Sequence, residues 1–367
     1  MSLRIPGPTP CPENVLQAMS KQMINHRGKE FGALIHRVTS RLKELFQTKG
    51  DVLILTSSGT GSMEAAIVNS LSPGDKVLSL SNGVFGDRFA TIAERFGAEV
   101  TRLSFEWGRA IDPDAAKRAL ESDPKIKAVL VTHNETSTGV TSDLASIGNV
   151  VKQYDKLLLV DAISSLGCID LQVDAWGCDV VVTGSQKGWM VPPGLAFVSV
   201  SQRGWQAHAE AKMPRFYWDF STAKDFLEKG QTPWTPAVSV FYALEIALEM
   251  MAEEGLANIF ARHARLGQRT REGVKSLGLS LFADGKHASD TVTAINSPGG
   301  IDSKRLVDTV REEHGIVLAG GQATLAGKIF RIGHLGFVTE ADVDDVIAQL
   351  RLALPKLGYK LPGAVVP

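Results

Sequence analysis

The chain has 367 residues, of which 44% are hydrophobic and 22% are charged, proportions typical of a globular protein with a sizeable core. This length allows a large domain with a smaller one, or two domains of middling size. The 39 lysines and arginines nearly balance the 40 aspartates and glutamates, and no basic block is present that could follow a phosphate backbone. A nucleic-acid partner is therefore not expected.

The cysteines and the N-terminus indicate the cellular compartment, and the histidines bear on metal binding. The three cysteines are odd in number and lack CxxC spacing, which predicts a reducing compartment without a disulfide framework or a zinc site. The eight histidines show no metal-binding spacing, so we assign no metal. Residues 1–10 contain no apolar run of signal-peptide length, and no stretch approaches the roughly 20 apolar residues of a membrane span. We expect a cytoplasmic protein with no membrane partner.

Short apolar segments alternate with amphipathic helical patterns through the first two hundred residues. The predicted strands are 52–56, 76–81, 99–103, 128–132, 156–160, 180–183 and 195–200. The predicted helices between them are 61–71, 87–96, 113–122 and 144–154. This alternation predicts an α/β fold with a doubly wound, mainly parallel seven-stranded sheet and helices on both faces.

The pattern changes after Gln202. A long helical stretch from 239 to about 277 is interrupted near Glu254-Gly255. The remaining chain has the pattern of a smaller α+β domain. Its predicted strands are 279–282, 291–295, 316–319 and 329–332, and its predicted helices are 303–313 and 340–354. We predict an N-terminal arm at 1–15, a large domain at 16–254 and a small C-terminal domain at 255–367.

Two polar residues follow neighbouring apolar strands, Asp161 and, 26 residues later, Lys187. Taken alone, Lys187 is most simply an ordinary solvated lysine, and Asp161 caps a turn. Together they indicate a site, because open α/β sheets bind ligands at the carboxyl ends of their strands. Pyridoxal phosphate requires such a pair, since it takes a lysine Schiff base at its aldehyde and an acidic partner at its pyridine nitrogen.

A phosphate cradle is predicted at Ser58-Gly-Thr-Gly-Ser62, which follows a strand and opens a helix. A Rossmann dinucleotide site is disfavoured because Glu64 stands at the third glycine and the next strand ends at Asn82 rather than an acidic residue. The segment Gly321–Lys328 has one residue too many for a P-loop, and Ile329 replaces the required serine or threonine.

Three further residues have both a structural and a functional interpretation. Phe85, in a glycine-flanked loop, is either a core residue or a ring stacked on a flat cofactor. Thr136 follows a strand, where its hydroxyl either stabilises a turn or meets a phenolic oxygen. Arg331, flanked by apolar residues, is at even odds a structural ion pair or a fork that recognises a carboxylate.

At this point the chain resembles the class V, fold type I pyridoxal-phosphate aminotransferases, specifically the alanine/serine–glyoxylate aminotransferase group. The resemblance covers nearly the whole length. It is carried, in this order, by Pro6-Gly-Pro-Thr-Pro10, Ser58-Gly-Thr-Gly-Ser62, Ser72-Pro-Gly-Asp75, Asn82-Gly-Val-Phe-Gly86, His133-Asn-Glu-Thr-Ser-Thr-Gly139, Val160-Asp-Ala-Ile-Ser-Ser-Leu-Gly167, Gly184-Ser-Gln-Lys-Gly188 and Arg331-Ile-Gly-His-Leu-Gly336.

The resemblance implies a role for each of these site residues. Lys187 forms the internal aldimine and moves the Cα proton, while Asp161 holds the pyridine nitrogen. Phe85 and Ile163 sandwich the ring, and Thr136 meets the phenolic oxygen. The resemblance also implies that Arg331 binds the substrate carboxylate. The residues that it implies for the phosphate are Thr60, Gly61, Ser62, Gln186 and the partner subunit's Thr235.

The resemblance also implies a homodimer with active sites at the subunit interface, and an N-terminal arm that wraps the partner. Two departures from the family pattern bear on the phosphate site. The phosphate loop is shorter than in animal members, so its contacting N–H groups stay open. Thr232 stands where some members have a tyrosine that reaches across the dimer.

The function that the resemblance implies is transamination in ping-pong order, from alanine or serine to glyoxylate, with pyruvate as an alternative acceptor and aspartate as an alternative donor. A cysteine desulfurase is disfavoured, because no cysteine follows Cys178. A lyase acting on a β-hydroxy amino acid stays open, since the same cofactor chemistry serves it. The alternative of a non-catalytic subunit that keeps the fold also stays open, because some members of the group are described by their association with a hydrogenase.

Overall fold

A seven-stranded sheet forms the centre of the computed structural model, which describes residues 1–362. Its strand order is β2-β10-β9-β8-β5-β3-β4. Only β10 runs antiparallel to its neighbours, and the other pairs are parallel. The strands of the chain are β1 Ser2–Leu3, β2 Asp51–Ser57, β3 Lys76–Ser81, β4 Glu99–Ser104, β5 Ile126–Thr132, β6 Asn134–Glu135, β7 Val140–Thr141, β8 Leu157–Asp161, β9 Val180–Gly184, β10 Gly194–Val200, β11 Val292–Asn296, β12 Ile316–Val317, β13 Ala319–Gly320 and β14 Ile329–Gly333. The predicted mainly parallel, seven-stranded sheet is confirmed.

Helices cover both faces of this sheet. Because the central strands are buried on both faces, they are continuous apolar runs such as Val180–Gly184. Two apolar clusters, one on each face, pack between the sheet and the helices. The helices are α1 Glu13–Ala18, α2 Lys29–Leu45, α3 Gly59–Ser70, α4 Val84–Arg95, α5 Pro113–Ser122, α6 Leu144–Gln153, α7 Gln202–Glu210, α8 Phe220–Glu228, α9 Val238–Glu254, α10 Leu256–Ser276, α11 Ser303–His314 and α12 Glu340–Lys356.

The C-terminal third forms a second, smaller layer. Strands β11, β14 and β13 make an antiparallel sheet, and a separate apolar cluster packs it against α10, α11 and α12. The predicted strand at 279–282 is wrong, because only an isolated bridge joins Leu281 to Ile295. The predicted strand at 316–319 is split into β12 and β13, each of which pairs with a different strand.

The long helical stretch is divided at Gly255, whose φ of 78° suits glycine. Helix α9 ends before it and α10 begins after it. The first turns of α10 still pack on the large sheet's core through Ile259, whereas Val274 belongs to the small domain's core. A domain boundary at residue 254 stays a prediction.

The N-terminal segment lies against its own chain. Strand β1 pairs in parallel with β12 of the small domain, and Gly333 N donates to Arg4 O at 2.8 Å. Further along, Thr9 N donates to Gln186 O at 3.1 Å. Residues 2–9 therefore join the small domain to the turn that carries Lys187. None of the helices within residues 1–362 is both long enough and apolar enough to cross a membrane.

Candidate active site

The carboxyl ends of β5, β8 and β9 meet at one edge of the large sheet. The register places Thr132 beside Asp161, so the two polar strand ends are neighbours. Asp161 lines a cavity at this edge and is 3% exposed. Its carboxylate accepts a hydrogen bond from Ile163 N at 2.9 Å and one from the Thr132 hydroxyl at 3.3 Å. Burial raises the pKa of Asp161 to about 6.

Lys187 lies in the turn after β9 and lines the same cavity. Its Nζ donates to Pro6 O at 2.6 Å, and its own carbonyl accepts from the Thr9 hydroxyl at 3.0 Å. Burial lowers the pKa of Lys187 to about 8; the Asp161 carboxylate opposes this shift, and the Arg331 and Arg88 cations add to it. The structure therefore brings the predicted lysine and aspartate together, with the amine partly unprotonated near neutral pH.

The lowered pKa of Lys187 predicts how the protein without cofactor reacts with pyridoxal phosphate. Because only the unprotonated amine attacks an aldehyde, the rate should rise with pH to a midpoint near 8 instead of 10.5. Stopped-flow absorbance over a pH series measures this midpoint, with N-acetyl-lysine amide as the control. A rate that keeps climbing to the ordinary lysine range would contradict the effect of burial.

The start of helix α3 forms a second wall of the cavity, through Ser58, Gly59 and Thr60. The unsatisfied N–H groups of a helix N-terminus favour an anion. Gly59 packs closely against Ile163, where a Cβ would lie 2.7 Å from the Ile163 Cδ1. Gly61 and Ser62, predicted as phosphate contacts, are not among the residues that line the cavity. They are the third and fourth residues of α3, because the helix begins at Gly59 rather than at residue 61, and their contacts to phosphate stay a prediction.

Ser62 is also fully buried, and its hydroxyl donates to Gly59 O at 2.7 Å, inside the helix. Its backbone N–H donates to Ser58 O. Both polar hydrogens of Ser62 are therefore satisfied within the helix. The predicted Gln186 does line the cavity, and its buried Oε1 has no hydrogen-bond partner within the described residues.

Phe85 and Ile163, predicted to sandwich a flat ring, both line the cavity. The Arg88 guanidinium lies 4.7 Å from the centre of the Phe85 ring and also reaches the Thr60 hydroxyl at 3.4 Å. Arg88 was not predicted from the sequence. Its position one turn after Phe85 on α4 was the available signal, because residues three apart share a helix face.

Thr136 also lines the cavity, together with Asn134 and Ser164. The Thr136 hydroxyl donates to Ser164 Oγ at 2.8 Å, and Ser164 Oγ donates to Asn134 O at 3.0 Å. Asn134 and Ser164 were not singled out in the sequence. They stand within two quoted motifs, which was the only signal that could have found them.

Arg331 lies in β14 and is 5% exposed. Its guanidinium donates to Gly320 O through Nε and Nη2, at 3.0 and 2.8 Å, and to Thr136 O through Nη1 at 3.0 Å. Three of its five N–H groups are thus accounted for, which leaves two for another acceptor. Burial lowers the pKa of Arg331 to about 10, so it stays a cation at neutral pH.

The predicted contacts from the segment 232–235 lie away from this cavity. Thr235 is exposed, and Thr232 is buried with its hydroxyl donating to Trp234 O at 2.7 Å. The Thr232 carbonyl accepts from the Arg27 guanidinium at 2.6 Å. A contact from Thr235 to the phosphate of a second subunit stays a prediction.

Gly7 and Pro8 of the N-terminal segment close the cavity above Lys187. Gly7 has a φ of 137°, and a Cβ there would lie 2.5 Å from Lys187 Nζ. We expect Gly7→Ala to displace the lysine and weaken binding of pyridoxal phosphate by about tenfold or more, measured by titrating the protein without cofactor. Gly285→Ala is the control, because its Cβ would meet no heavy atom within 4 Å. Equal affinity in the two variants would contradict this account.

No group of three or more histidine, cysteine, aspartate or glutamate side chains that could hold a metal ion occurs in the part of the chain that the structure describes. The three cysteines are free, and Cys168 and Cys178 are buried. Burial raises the pKa of Cys168 to about 12. The thiol of Cys168 is therefore protonated at neutral pH, which makes it a poor nucleophile.

The fold and the lysine–aspartate cavity are those of a fold type I aminotransferase. One solved structure, an alanine–glyoxylate aminotransferase from Nostoc sp., superposes with a TM-score of 0.93 at 33% identity, over 96% of this chain and 94% of that one. A family model described as aminotransferase class-V matches residues 2–346. The chain belongs to the class V aminotransferases, a family of pyridoxal-phosphate enzymes.

Two relatives carry different descriptions. The L-aspartate–glyoxylate aminotransferase of Paracoccus denitrificans is 39% identical over 363 residues, which is 97% of this chain and 92% of the relative. The soluble hydrogenase 42 kDa subunit of Anabaena cylindrica is 46% identical over 363 residues, 98% of this chain and 94% of the relative. The chain is thus similar both to proteins described as aminotransferases and to proteins described as hydrogenase subunits.

Proposed function

We propose that this protein is a pyridoxal-phosphate aminotransferase that moves the amino group of alanine or serine to glyoxylate. The observation that carries the proposal is the meeting of Lys187 and Asp161 in one cavity, with the Arg331 guanidinium bonded to the Thr136 backbone at its edge. Alanine would leave as pyruvate, serine as hydroxypyruvate, and glyoxylate as glycine. The amino group is conserved across the two half-reactions.

The residues present fit the cofactor. A buried carboxylate, two apolar side chains, a lysine with a lowered pKa and a helix N-terminus line one cavity. When bound, pyridoxal phosphate supplies an aldehyde that takes up an amine and a ring that accepts electrons.

Within this cavity each residue has one task. Asp161, held by Ile163 N and the Thr132 hydroxyl, would keep the pyridine nitrogen protonated. Phe85 and Ile163 would hold the ring between them. The N–H groups at the start of α3, with the Thr60 hydroxyl and the Arg88 cation, would bind the phosphate.

Lys187 would act as the base that takes the Cα proton of the amino donor and later returns a proton. Its pKa of about 8 suits both directions near neutral pH, because a proton-transfer group works best close to the ambient pH. The two remaining N–H groups of Arg331 would bind the donor's α-carboxylate as a fork.

The choice of substrates is inferred from similar proteins and from the charges near the cavity. Glyoxylate is favoured as acceptor because two similar proteins with different donors in their descriptions share it. The sequence gives no second obvious arginine beside Arg331, which favours small donors. Aspartate is an alternative donor, because one similar protein is an L-aspartate–glyoxylate aminotransferase. Pyruvate remains an alternative acceptor.

We also propose a homodimer in which the partner subunit's Thr235 completes the phosphate site. Thr235 is exposed and follows an aromatic group of Phe216, Tyr217 and Trp234, in which Phe216 is 76% exposed. Exposed aromatic groups of this kind are typical of protein interfaces. Sedimentation equilibrium of the wild-type protein measures the state.

The visible absorption of the purified protein tests the proposed function. The band of the bound cofactor should fall on addition of L-alanine or L-serine alone and return on addition of glyoxylate. A β-hydroxy amino acid lyase would instead release product without any 2-oxo acid. Absence of a band, even after pyridoxal phosphate is added, would contradict the enzyme and favour the second candidate, a non-catalytic subunit like the hydrogenase relative.

A further inference from the structure

Helix α4, which carries Phe85, is capped by a segment that lies fifty residues further along the chain. A glycine stands at the helix's own capping position and offers no side chain. The first three N–H groups of the helix donate instead to Ser137 and Glu135: Val84 N to Ser137 Oγ at 3.0 Å, and Phe85 N and Gly86 N to Glu135 Oε2 at 3.0 and 3.1 Å. These N–H groups have no partner inside a helix, so the cap satisfies them.

The Glu135 carboxylate is held on both of its oxygens. It is fully buried, and its Oε1 accepts from Ser137 N at 3.0 Å and from the Ser137 hydroxyl. A Cβ at Gly83 would lie 2.5 Å from the Glu135 Cδ, so a side chain at residue 83 would displace the carboxylate. A negative charge at a helix N-terminus is also favoured by the helix dipole.

The same segment reaches the other functional groups of the cavity. Asn134 and Thr136, on either side of Glu135, both line the cavity wall. Thr136 O accepts from Arg331 Nη1 at 3.0 Å, and the Glu135 charge favours the protonated form of Arg331 against the cost of burial. One short segment therefore contacts both the helix that carries Phe85 and the arginine of β14.

We propose that Glu135 is a positioning residue that fixes the Phe85 ring, through the start of α4, relative to the Arg331 guanidinium, which is bonded to Thr136 O next to Glu135. The inference rests on the proposed function, in which Phe85 contacts the cofactor and Arg331 the substrate. Glutamine in its place has the same shape but turns one acceptor into a donor. Either the N–H groups at the start of α4 or Ser137 N then lose their acceptor, so α4 and the segment 135–137 must shift relative to each other.

Glu135→Gln tests the proposal against a matched control, Asp179→Asn. Asp179 is equally buried and accepts from Leu158 N and the Ser201 hydroxyl, but it lies at the opposite end of β9 from Lys187. We expect Glu135→Gln to raise KM for L-alanine about tenfold or more and to change the visible circular dichroism of the bound cofactor. Asp179→Asn should leave KM and the circular dichroism unchanged, even if its thermal stability falls as much as that of Glu135→Gln.

Wild-type KM and circular dichroism in Glu135→Gln, or the same change in both variants, would overturn the proposal. Should Glu135→Gln fail to fold, Ser137→Ala provides the test, because it removes the acceptor of Val84 N while Ser137 N still donates to Glu135. A smaller change of the same sign supports the proposal, and wild-type values overturn it. A wild-type protein that binds no pyridoxal phosphate would overturn the proposed function itself, which distinguishes the two failures.

Discussion

Replacing Lys187 with alanine is expected to reduce turnover of L-alanine with glyoxylate by roughly 10²- to 10⁴-fold or more, because the proposed proton carrier is removed. No other lysine or histidine lines the cavity among the residues that the structure describes, so no nearby group can take over. The fold should survive, since the Lys187 side chain makes one hydrogen bond, to Pro6 O. Turnover is measured by quantifying the pyruvate formed by mass spectrometry.

Two controls separate the chemistry of Lys187 from general effects of losing a lysine. Lys304→Ala removes an exposed lysine of α11 whose amine pairs with Asp308. This variant should retain wild-type turnover. Added methylamine should restore part of the activity of Lys187→Ala, because a small amine can enter the space left by the side chain. Wild-type turnover in Lys187→Ala would remove this residue from the mechanism.

Asp161→Asn is expected to lower kcat by roughly 10²-fold or more, because a neutral amide cannot hold a proton on the pyridine nitrogen. The substitution preserves shape, and the asparagine can still accept from Ile163 N and donate to the Thr132 oxygen. We expect the affinity for pyridoxal phosphate to fall less than kcat. Steady-state kinetics with L-alanine and glyoxylate, at saturating cofactor, provides the measurement.

The stability of Asp161→Asn without cofactor checks that the loss is not one of folding. Because burial raises the pKa of Asp161 from 3.8 to about 6, the unfolded chain releases this proton first as pH rises, and the wild type loses stability between those values. Asp161→Asn has no carboxyl group at this position, so its stability does not fall in this way. At pH 8 it should be more stable than the wild type by up to about 3 kcal/mol, and near pH 4 the difference should vanish. If Asp161→Asn were less stable than the wild type at pH 8, this would contradict the raised pKa of Asp161.

Much of the large sheet could be predicted because its strands are buried on both faces and therefore form continuous apolar runs. The strand at 76–81 agrees with Lys76–Ser81, and the helix at 113–122 agrees with Pro113–Ser122, where Asp112 caps and Pro113 begins the helix. The pairing of Asp161 with Lys187 followed from the same logic, since both residues follow strand ends at one edge of the sheet.

The rest of the site depends on contacts between distant segments. The helix at the phosphate loop begins two residues earlier than predicted, and Ser58, Gly59 and Thr60 of that loop line the cavity. The position of Gly7 above Lys187 depends on strand pairing between β1 and β12, more than 300 residues apart. Glu135 in the sequence resembles an ordinary turn residue, and only the folded chain brings it to the start of α4.

The fate of the nitrogen atom tests the central claim most directly. The wild-type protein, supplied with pyridoxal phosphate, L-[¹⁵N]alanine and glyoxylate, should give [¹⁵N]glycine and pyruvate in equal amounts, as measured by mass spectrometry, and Lys187→Ala should form both products at least about 10²-fold more slowly. Replacing alanine by labelled serine or aspartate ranks the donors in the same assay. Failure of the wild type to label glycine from any of the three donors would contradict the proposed aminotransferase.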